Sequence, residues 1–429
     1  MNLRDSEKEI NNLFVYALAS LSIFWYYLSI FAASVNIPCW DDYDAILGFA
    51  NNFLSNTHNK LALLFSLHNE HRILLCRAST VLLHFLSGKI NFRILTMIGN
   101  FSLLALAAGL LSSAVFPLKK TRPIYLLPVI LILFQPQYWE SSLVSTSSLS
   151  CLPVIFFAFL TLHYLGAGRI KNFLFALVTA IAATFINGNG MLIFLSGLII
   201  LFFYKRPKES MTWIFAGIVT ACVYFIGYAR PIHHPDPLGI FNYPIMAISY
   251  FFTFIGSAIP YFFPKGFEDS KLLPLSGGVL FFVYFIFLSC KIKSGKVNIA
   301  IFAFLAYLFI TAFVVTLFRS GFGVDQALSS RYALYSALFI IFVYITLVGL
   351  LPVRTFRSIF PFLLMLSIFF NYHSYKDNLQ IMSGHKKMLI YGLDNWRINN
   401  NSGLRYPDRS RANDIMQEAI KNGLYEPQP

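Results

Sequence analysis

Negative charge is what this chain has least of. Asp and Glu number 19 in 429 residues, and charged residues of both signs make up 12%, about half the share of a soluble domain. That scarcity excludes a globular protein solvated on every side. Cysteine is sparse too: Cys39, Cys76, Cys151, Cys222 and Cys290 lie far apart without metal-ligand spacing, so neither a zinc module nor a disulfide framework fits. Only Cys39 and Cys76 can share a compartment and pair, and the others read as small apolar residues in helices. No internal repeat, low-complexity tract or nucleotide-binding motif is present.

Apolar sequence fills the space instead. The chain is 57% hydrophobic and 17% aromatic, with 46 Phe and 23 Tyr, as expected of lipid-facing helices with aromatic belts. Apolar runs occur at 13–35, 92–116, 123–137, 150–166, 170–187, 190–204, 211–229, 274–290, 297–318, 332–351 and 356–373. A helix of about 20 residues crosses the ~30 Å hydrocarbon core, so several of these are short for a span. The first follows a polar N-terminus and ends at Pro38-Cys39-Trp40 without a small-residue cleavage site. It reads as a span rather than a signal peptide.

The net charge of +14 comes from basic clusters between the runs: Lys119/Lys120/Arg122, Arg169/Lys171, Lys205/Arg206/Lys208, Lys291/Lys293/Lys296 and Arg354/Arg357. These are cytoplasmic loops by the positive-inside rule, and no nucleic acid is expected as a partner. The resulting expectation is an all-α polytopic membrane protein of about 11 transmembrane helices, with the N-terminus inside and the C-terminus outside. Stretches 60–88 and 241–263 break this alternation and are expected as interfacial or re-entrant helices on the outer side. Residues 45–57 read as a short amphipathic helix with Ile46, Leu47, Phe49 and Phe53 on one side. The expected division is a membrane domain over 1–373, containing a first outer loop at 36–91, and a polar extracytoplasmic region over 374–429. That tail is either a small folded appendage or an acceptor-binding cap.

The expected outer loops hold the unusual residues, above all Trp40-Asp41-Asp42-Tyr43-Asp44, three carboxylates within four positions. A partly desolvated carboxylate binds protons more tightly and can take one from a hydroxyl. Together the three can instead hold a divalent cation, or simply mark a helix end. Asp42 leads as the catalytic candidate with Asp41 next, and Asp44 serves the substrate site chiefly as support. Glu70-His71-Arg72 is expected to open a helix with Arg77 and His84 on a shared face. Arg72 either binds phosphate through bidentate hydrogen bonds or neutralises the aspartates, and His71 has no assigned role.

Further along, Arg319-Ser320-Gly321-Phe322-Gly323 leads to Ser329-Ser330-Arg331-Tyr332. Glycines let backbone approach a ligand, and two outward arginines suit a phosphate or diphosphate head group. Pairing of Arg331 with an aspartate is the plainer alternative. Asn187-Gly188-Asn189-Gly190 reads as a tight turn. Trp139 and Glu140 suit either a sugar contact or an aromatic belt. His233-His234-Pro235-Asp236 lacks a third metal ligand at a diagnostic spacing.

A membrane helix followed at once by an acidic cluster, a first outer loop with interfacial helices, many further spans and a polar C-terminal region resembles the GT-C superfamily of glycosyltransferases. Asp41/Asp42 match that family's first-loop acidic position, and Glu70-His71-Arg72 and Ser330-Arg331-Tyr332 resemble patterns in its bacterial members. Size and layout are similar to serotype-converting O-antigen glucosyltransferases. A large soluble C-terminal domain and a Trp-Trp-Asp signature are missing, which sets the chain apart from the oligosaccharyltransferase branch.

The resemblance implies an inverting hexosyltransferase in the bacterial cytoplasmic (inner) membrane, working on the periplasmic face. It would move one sugar from a polyprenyl-phosphate donor to a lipopolysaccharide O-antigen or lipid-linked acceptor. Asp42 or Asp41 would be the base, with Arg331, Arg319, Glu70, Arg72, Tyr332 and Asp44 at the substrate site. No cofactor is implied beyond an optional divalent cation at Asp41/Asp42. An O-antigen polymerase or ligase is the first alternative, although such enzymes carry their large outer loop later in the chain. A lipid-linked-sugar flippase is the second, and it would call for charges inside the spans and repeated halves.

Overall fold

The computed structural model describes residues 3–55, 58–112, 123–230, 235–263, 271–399 and 403–428. Within these, the helices are α1 (Leu3–Ala33), α2 (Phe49–Ser55), α3 (Lys60–Phe65), α4 (Leu74–Ser87), α5 (Phe92–Ser112), α6 (Leu127–Leu133), α7 (Trp139–Leu143), α8 (Ser145–Gly166) and α9 (Ile170–Ile186). They continue with α10 (Leu192–Phe203), α11 (Pro207–Phe225), α12 (Pro244–Gly256), α13 (Leu272–Ile292), α14 (Ile299–Arg319), α15 (Ser330–Leu350), α16 (Val353–Asn399) and α17 (Arg409–Lys421). The named strands are β1 (Leu67–His68) and β2 (His71–Arg72), an antiparallel pair with His68 opposite His71. Seven helices (α1, α5, α8, α13, α14, α15 and α16) are long and apolar enough to cross a membrane. The chain is an all-α, multi-pass membrane protein. Helices α4, α9 and α12, and the Gly188–Phe203 stretch ending in α10, are apolar but shorter.

Long apolar helices in lipid need close backbone approach and buried hydrogen bonds to associate. Both are present. A Cβ on Gly99 of α5 would lie 2.4 Å from the Ser148 carbonyl of α8, and one on Gly256 of α12 would lie 1.9 Å from the Pro274 carbonyl of α13. Nothing larger than glycine fits at either crossing. Between α1, α5 and α7, the Tyr26 hydroxyl donates to Asn100 Oδ1 at 2.8 Å and lies 2.9 Å from Ser142 Oγ, while Asn100 Nδ2 donates to the Ser142 carbonyl at 2.8 Å.

The helices present their ends to two opposite poles. At one pole, Phe92 N at the start of α5 donates to Asn36 Oδ1, Thr146 at the start of α8 bonds Asp42, and Arg319 at the end of α14 meets Glu70. At the other, Arg206 before α11 donates to the last turn of α8 at Leu165, and Tyr344 of α15 donates to the Tyr125 carbonyl. Apart from the cluster at 119–122, which lies outside the described residues, the basic clusters sit at this second pole, where α8–α9, α10–α11, α13–α14 and α15–α16 are joined.

Helix α16 runs for 47 residues, ~70 Å at 1.5 Å per residue, and continues unbroken past residue 373. Its far end and the segment after it share a core with the first loop: Ile37, Tyr43, Leu47 and Cys76 pack with Leu393, Trp396, Met416 and Tyr425. Ile90 N donates to the Leu424 carbonyl at 2.7 Å, and Asn36 Nδ2 donates to the Glu426 carbonyl at 2.9 Å. The last residues are therefore built into the first loop. Residues 43–55, which pack against α17 and α4, bury Ile46, Leu47, Phe49 and Phe53, the apolar side read from the sequence.

Candidate functional site

The three aspartates of the first loop diverge. Trp40 stands in the left-handed region at φ 52°, with its N–H on the Arg405 carbonyl at 2.8 Å, and the chain turns there into the helix at Tyr43–Gly48. Neighbouring side chains consequently point to different surroundings. Asp42 turns inward and is 2% exposed. Its Oδ1 accepts from Thr146 N at 2.8 Å and Thr146 Oγ1 at 2.7 Å, and its Oδ2 accepts from Cys39 N at 3.3 Å. It caps the start of α8, satisfying a first-turn N–H. Burial pushes its carboxyl up to about 6 against the pull of the Thr146 and Cys39 hydrogen bonds.

Asp41 points the other way, its side chain 52% exposed and its Oδ1 3.6 Å from His68 Nε2. Partial burial favours its protonated form. The His68 hydrogen bond and the charges of His68, Arg331 and His71 outweigh that and hold the carboxyl below its ordinary range. The sequence ranked Asp42 ahead of Asp41. In the structure both Asp42 oxygens are engaged in the protein interior, whereas the Asp41 side chain is half-exposed. No cluster of three or more His, Cys, Asp or Glu suited to a metal occurs among the described residues.

Asp44 ties down the C-terminal segment, accepting from the Tyr406 hydroxyl and from Arg411 Nε at 2.9 Å and Nη2 at 2.6 Å. Glu70, His71 and Arg72 do not open a helix as expected. His68-Asn69-Glu70-His71 closes the β1–β2 hairpin instead, with Asn69 at φ 51°, and α4 starts only at Leu74. The turn aims Glu70 at Arg319, with which it pairs, and sets Glu70 Oε1 3.6 Å from His71 Nε2. The His71 side chain is 40% exposed, while its Nδ1 is buried without a hydrogen-bond partner. Burial lowers its pKa; Glu70 pulls upward, and Arg319 and His68 add to the lowering.

Arg72 is not available to a phosphate. It is 8% exposed, with Nε on the Tyr224 carbonyl at 2.8 Å, Nη2 on the Ile226 carbonyl at 2.5 Å and Nη1 on the Phe65 carbonyl. Its guanidinium caps the end of α11 and fixes the loop before β1. Arg77 does the same for the carbonyls of Leu63 (2.8 Å), Ser66 and Leu67 (3.3 Å).

Arg331 opens α15 in a stitched corner. Glu140 Oε2 accepts from Ser329 Oγ and Arg331 N, both at 3.1 Å, and Ser330 Oγ donates to the Gln137 carbonyl at 2.7 Å. The Arg331 guanidinium is exposed, donates to Ser329 Oγ at 3.2 Å and lies over the Tyr332 ring at 5.5 Å. Among the described residues it forms no ion pair. Tyr332 accepts from Gln326 Nε2 at 3.3 Å and packs on Phe254 with ring centroids 5.0 Å apart.

The other loop motifs are structural. Asn187 caps the Gly188–Met191 turn, and a Cβ on Gly190 would lie 2.1 Å from the Ala183 carbonyl. Trp139 packs on His385 with centroids 5.2 Å apart. His233 and His234 lie outside the described residues, and Asp236 pairs with Arg230 at 3.3 Å. Cys39 and Cys76 are both buried and free.

One pole of the bundle thus brings together Asp41, His68, Glu70, His71, Arg319, Arg331 and Tyr332, with Asp42 and Arg72 at the same pole but buried. His68 carried no role in the sequence reading, although its place beside Asn69 in a short hairpin was a usable signal. Thr146 was also missed; the hydroxyl run Ser145-Thr146-Ser147-Ser148 at the head of an apolar stretch is a helix-start signature. Compared with known proteins, the chain matches no family model and no curated sequence.

Proposed function

We propose that the protein is a membrane glycosyltransferase that moves a single sugar from a polyprenyl-phosphate donor to a polysaccharide or lipid-linked acceptor. One observation carries the reading. A half-exposed carboxylate, Asp41, is held 3.6 Å from His68 and within the field of Arg331, a cation with no carboxylate partner among the described residues. Base and cation thus lie at the same end of the helical bundle.

In this reading Asp41 takes the proton of the acceptor hydroxyl, whose oxygen attacks the anomeric carbon from the face opposite the phosphate. The carbon–oxygen bond to the phosphate breaks, and the lipid phosphate leaves with the electron pair. Arg331 meets the leaving phosphate, with Arg319 beside it, oriented by Glu70. Fixed cations of this kind contribute a few kcal/mol each to the transition state. His68 and Asp42 position Asp41: the first holds its carboxylate and the second fixes the backbone next to it on α8.

Seven helices are long and apolar enough to span, and α9, α10, α11 and the stretch around the short α6 would bring the count to about eleven, leaving α4 and α12 at the acidic pole. Basic clusters at the opposite pole support a cytoplasmic location for that side. The reaction centre then faces outward from a bacterial cytoplasmic membrane, where a lipid-linked donor is the accessible one.

Transfer from a radiolabelled polyprenyl-phosphate sugar by purified protein tests this. Asp41→Asn is expected to lose about 10²–10⁴ in rate, the usual contribution of a general base, while keeping its thermal stability. Full activity of Asp41→Asn would refute the assignment, and products lengthened by several sugars would point to a polymerase instead.

A further inference from the structure

Between the first loop and α17 lies an open cavity of about 360 Å³, within the ~300–1,000 Å³ range of small-molecule sites. We infer that this cavity is the acceptor subsite and that it takes a neutral, hydroxyl-rich saccharide. The inference rests on the transfer reading above and adds the substrate class.

Position is the first support. His68 lines the cavity and is the same residue that approaches Asp41, so the cavity adjoins the residue that holds the base. Polarity is the second. Asp44, Asn52, Ser66, His68, Asp414 and Glu418 line the wall, a set of acceptors and donors of the kind that hold sugar hydroxyls. Phe49, also in the wall, offers an apolar face. Arg77, 4% exposed, borders the cavity as well, and its Nε has no hydrogen-bond partner.

Charge sets the class. Of the two guanidiniums in the wall, Arg411 pairs with Asp44, while Arg77 keeps its positive charge among the carbonyls around Ser66. Three carboxylates, Asp44, Asp414 and Glu418, against these two guanidiniums leave the wall with a net charge of −1. An acidic saccharide would meet like charge, which costs several kcal/mol at an interface, whereas a neutral one meets only hydrogen-bonding groups.

Saturation-transfer NMR on the full-length protein in nanodiscs, with maltotriose, mannotriose and trigalacturonate as probes and no donor present, tests this directly. At least one neutral trisaccharide is expected to bind, with trigalacturonate about tenfold or more weaker. The double substitution Asp414→Asn/Glu418→Gln is expected to admit trigalacturonate, a gain that misfolding does not produce. Failure of both neutral probes, equal binding of the acidic one to the native protein, or no change in the double variant would each overturn the inference. Neutral binding together with absent transfer from the labelled donor would keep the saccharide subsite and sink the transfer reading instead.

Discussion

Replacing Asp42 separates the two aspartates through stability rather than rate. Asp42 is 2% exposed, and burial raises its pKa from 3.8 to about 6. Between those values the unfolded chain gives up a proton that the folded protein retains. Its contribution to stability is therefore fully present below the unfolded value, is lost as pH rises through about 6, and is flat above that. The gap between the two values corresponds to roughly 3 kcal/mol. Asn at this position has no such dependence. It keeps an acceptor for Thr146 but turns an amide N–H toward Cys39 N, so its cost at pH 8 is about 1 kcal/mol or less. Ala leaves Thr146 N, Thr146 Oγ1 and Cys39 N without an acceptor and costs about 1–3 kcal/mol at every pH.

The assay is the apparent melting temperature of detergent-solubilised protein between pH 4.5 and 8, followed by tryptophan fluorescence. The informative quantity is the difference between native protein and Asp42→Asn at each pH. That difference cancels other titrating groups, including His71, whose lowered pKa acts with the opposite sign and removes stability as pH falls through its folded value. Native protein should gain on Asp42→Asn steadily from pH 7 to 4.5. A difference that stays flat with pH would refute both the burial of a titrating carboxyl at Asp42 and its positioning role.

The structural arginines and the tight crossings give further expectations. Arg72→Met should lower the melting temperature by the equivalent of about 1–3 kcal/mol, since the Tyr224 and Ile226 carbonyls lose their donor. Arg72→Lys should not rescue it, because one ammonium cannot reproduce the guanidinium fork. Gly99→Ala should cost about 1–3 kcal/mol through overpacking against Ser148, read as a loss of folded yield and melting temperature. Trp40 is 55% exposed beside Asp41 and held at φ 52°. Trp40→Gly should relieve about 1–2 kcal/mol of left-handed strain and raise stability while raising the acceptor KM; a variant with an unchanged KM would leave the exposed indole without a part in binding.

Helix existence was legible because it depends on runs of apolar residues, which the chain displays one after another. Length was less so. Of the eleven runs read from sequence, the one at 123–137 becomes a short 3-10 turn at Pro123–Leu126, helix α6 and a second turn at Pro136–Tyr138, and Gln135 between them is wholly buried. Hydropathy does not register where such a run breaks. The hairpin at 67–72 was hidden for a related reason: two residues per strand are too few to show a period, and the left-handed Asn69 that forces the turn is one polar residue among several.

The site itself was half legible. The acidic cluster identified a place, but adjacent residues on a turning backbone face different ways, and no spacing rule states which of Asp41 and Asp42 turns inward. That outcome is fixed by a partner 104 positions away, Thr146. Glu70 meets Arg319 across 249 positions, and Asp44 meets Arg411 across 367. The same distance explains Arg72, which looked like a phosphate ligand only because the α11 carbonyls it caps lie 152 and 154 residues on. Long-range pairing also decides what the C-terminal segment is for. Its polar composition suits a free appendage as well as a cap, but Asp44, Asn51 and Asn36 in the first loop each bond to it. Removing residues 403–428 would therefore uncover Tyr43 and Leu47 and open one wall of the cavity next to His68.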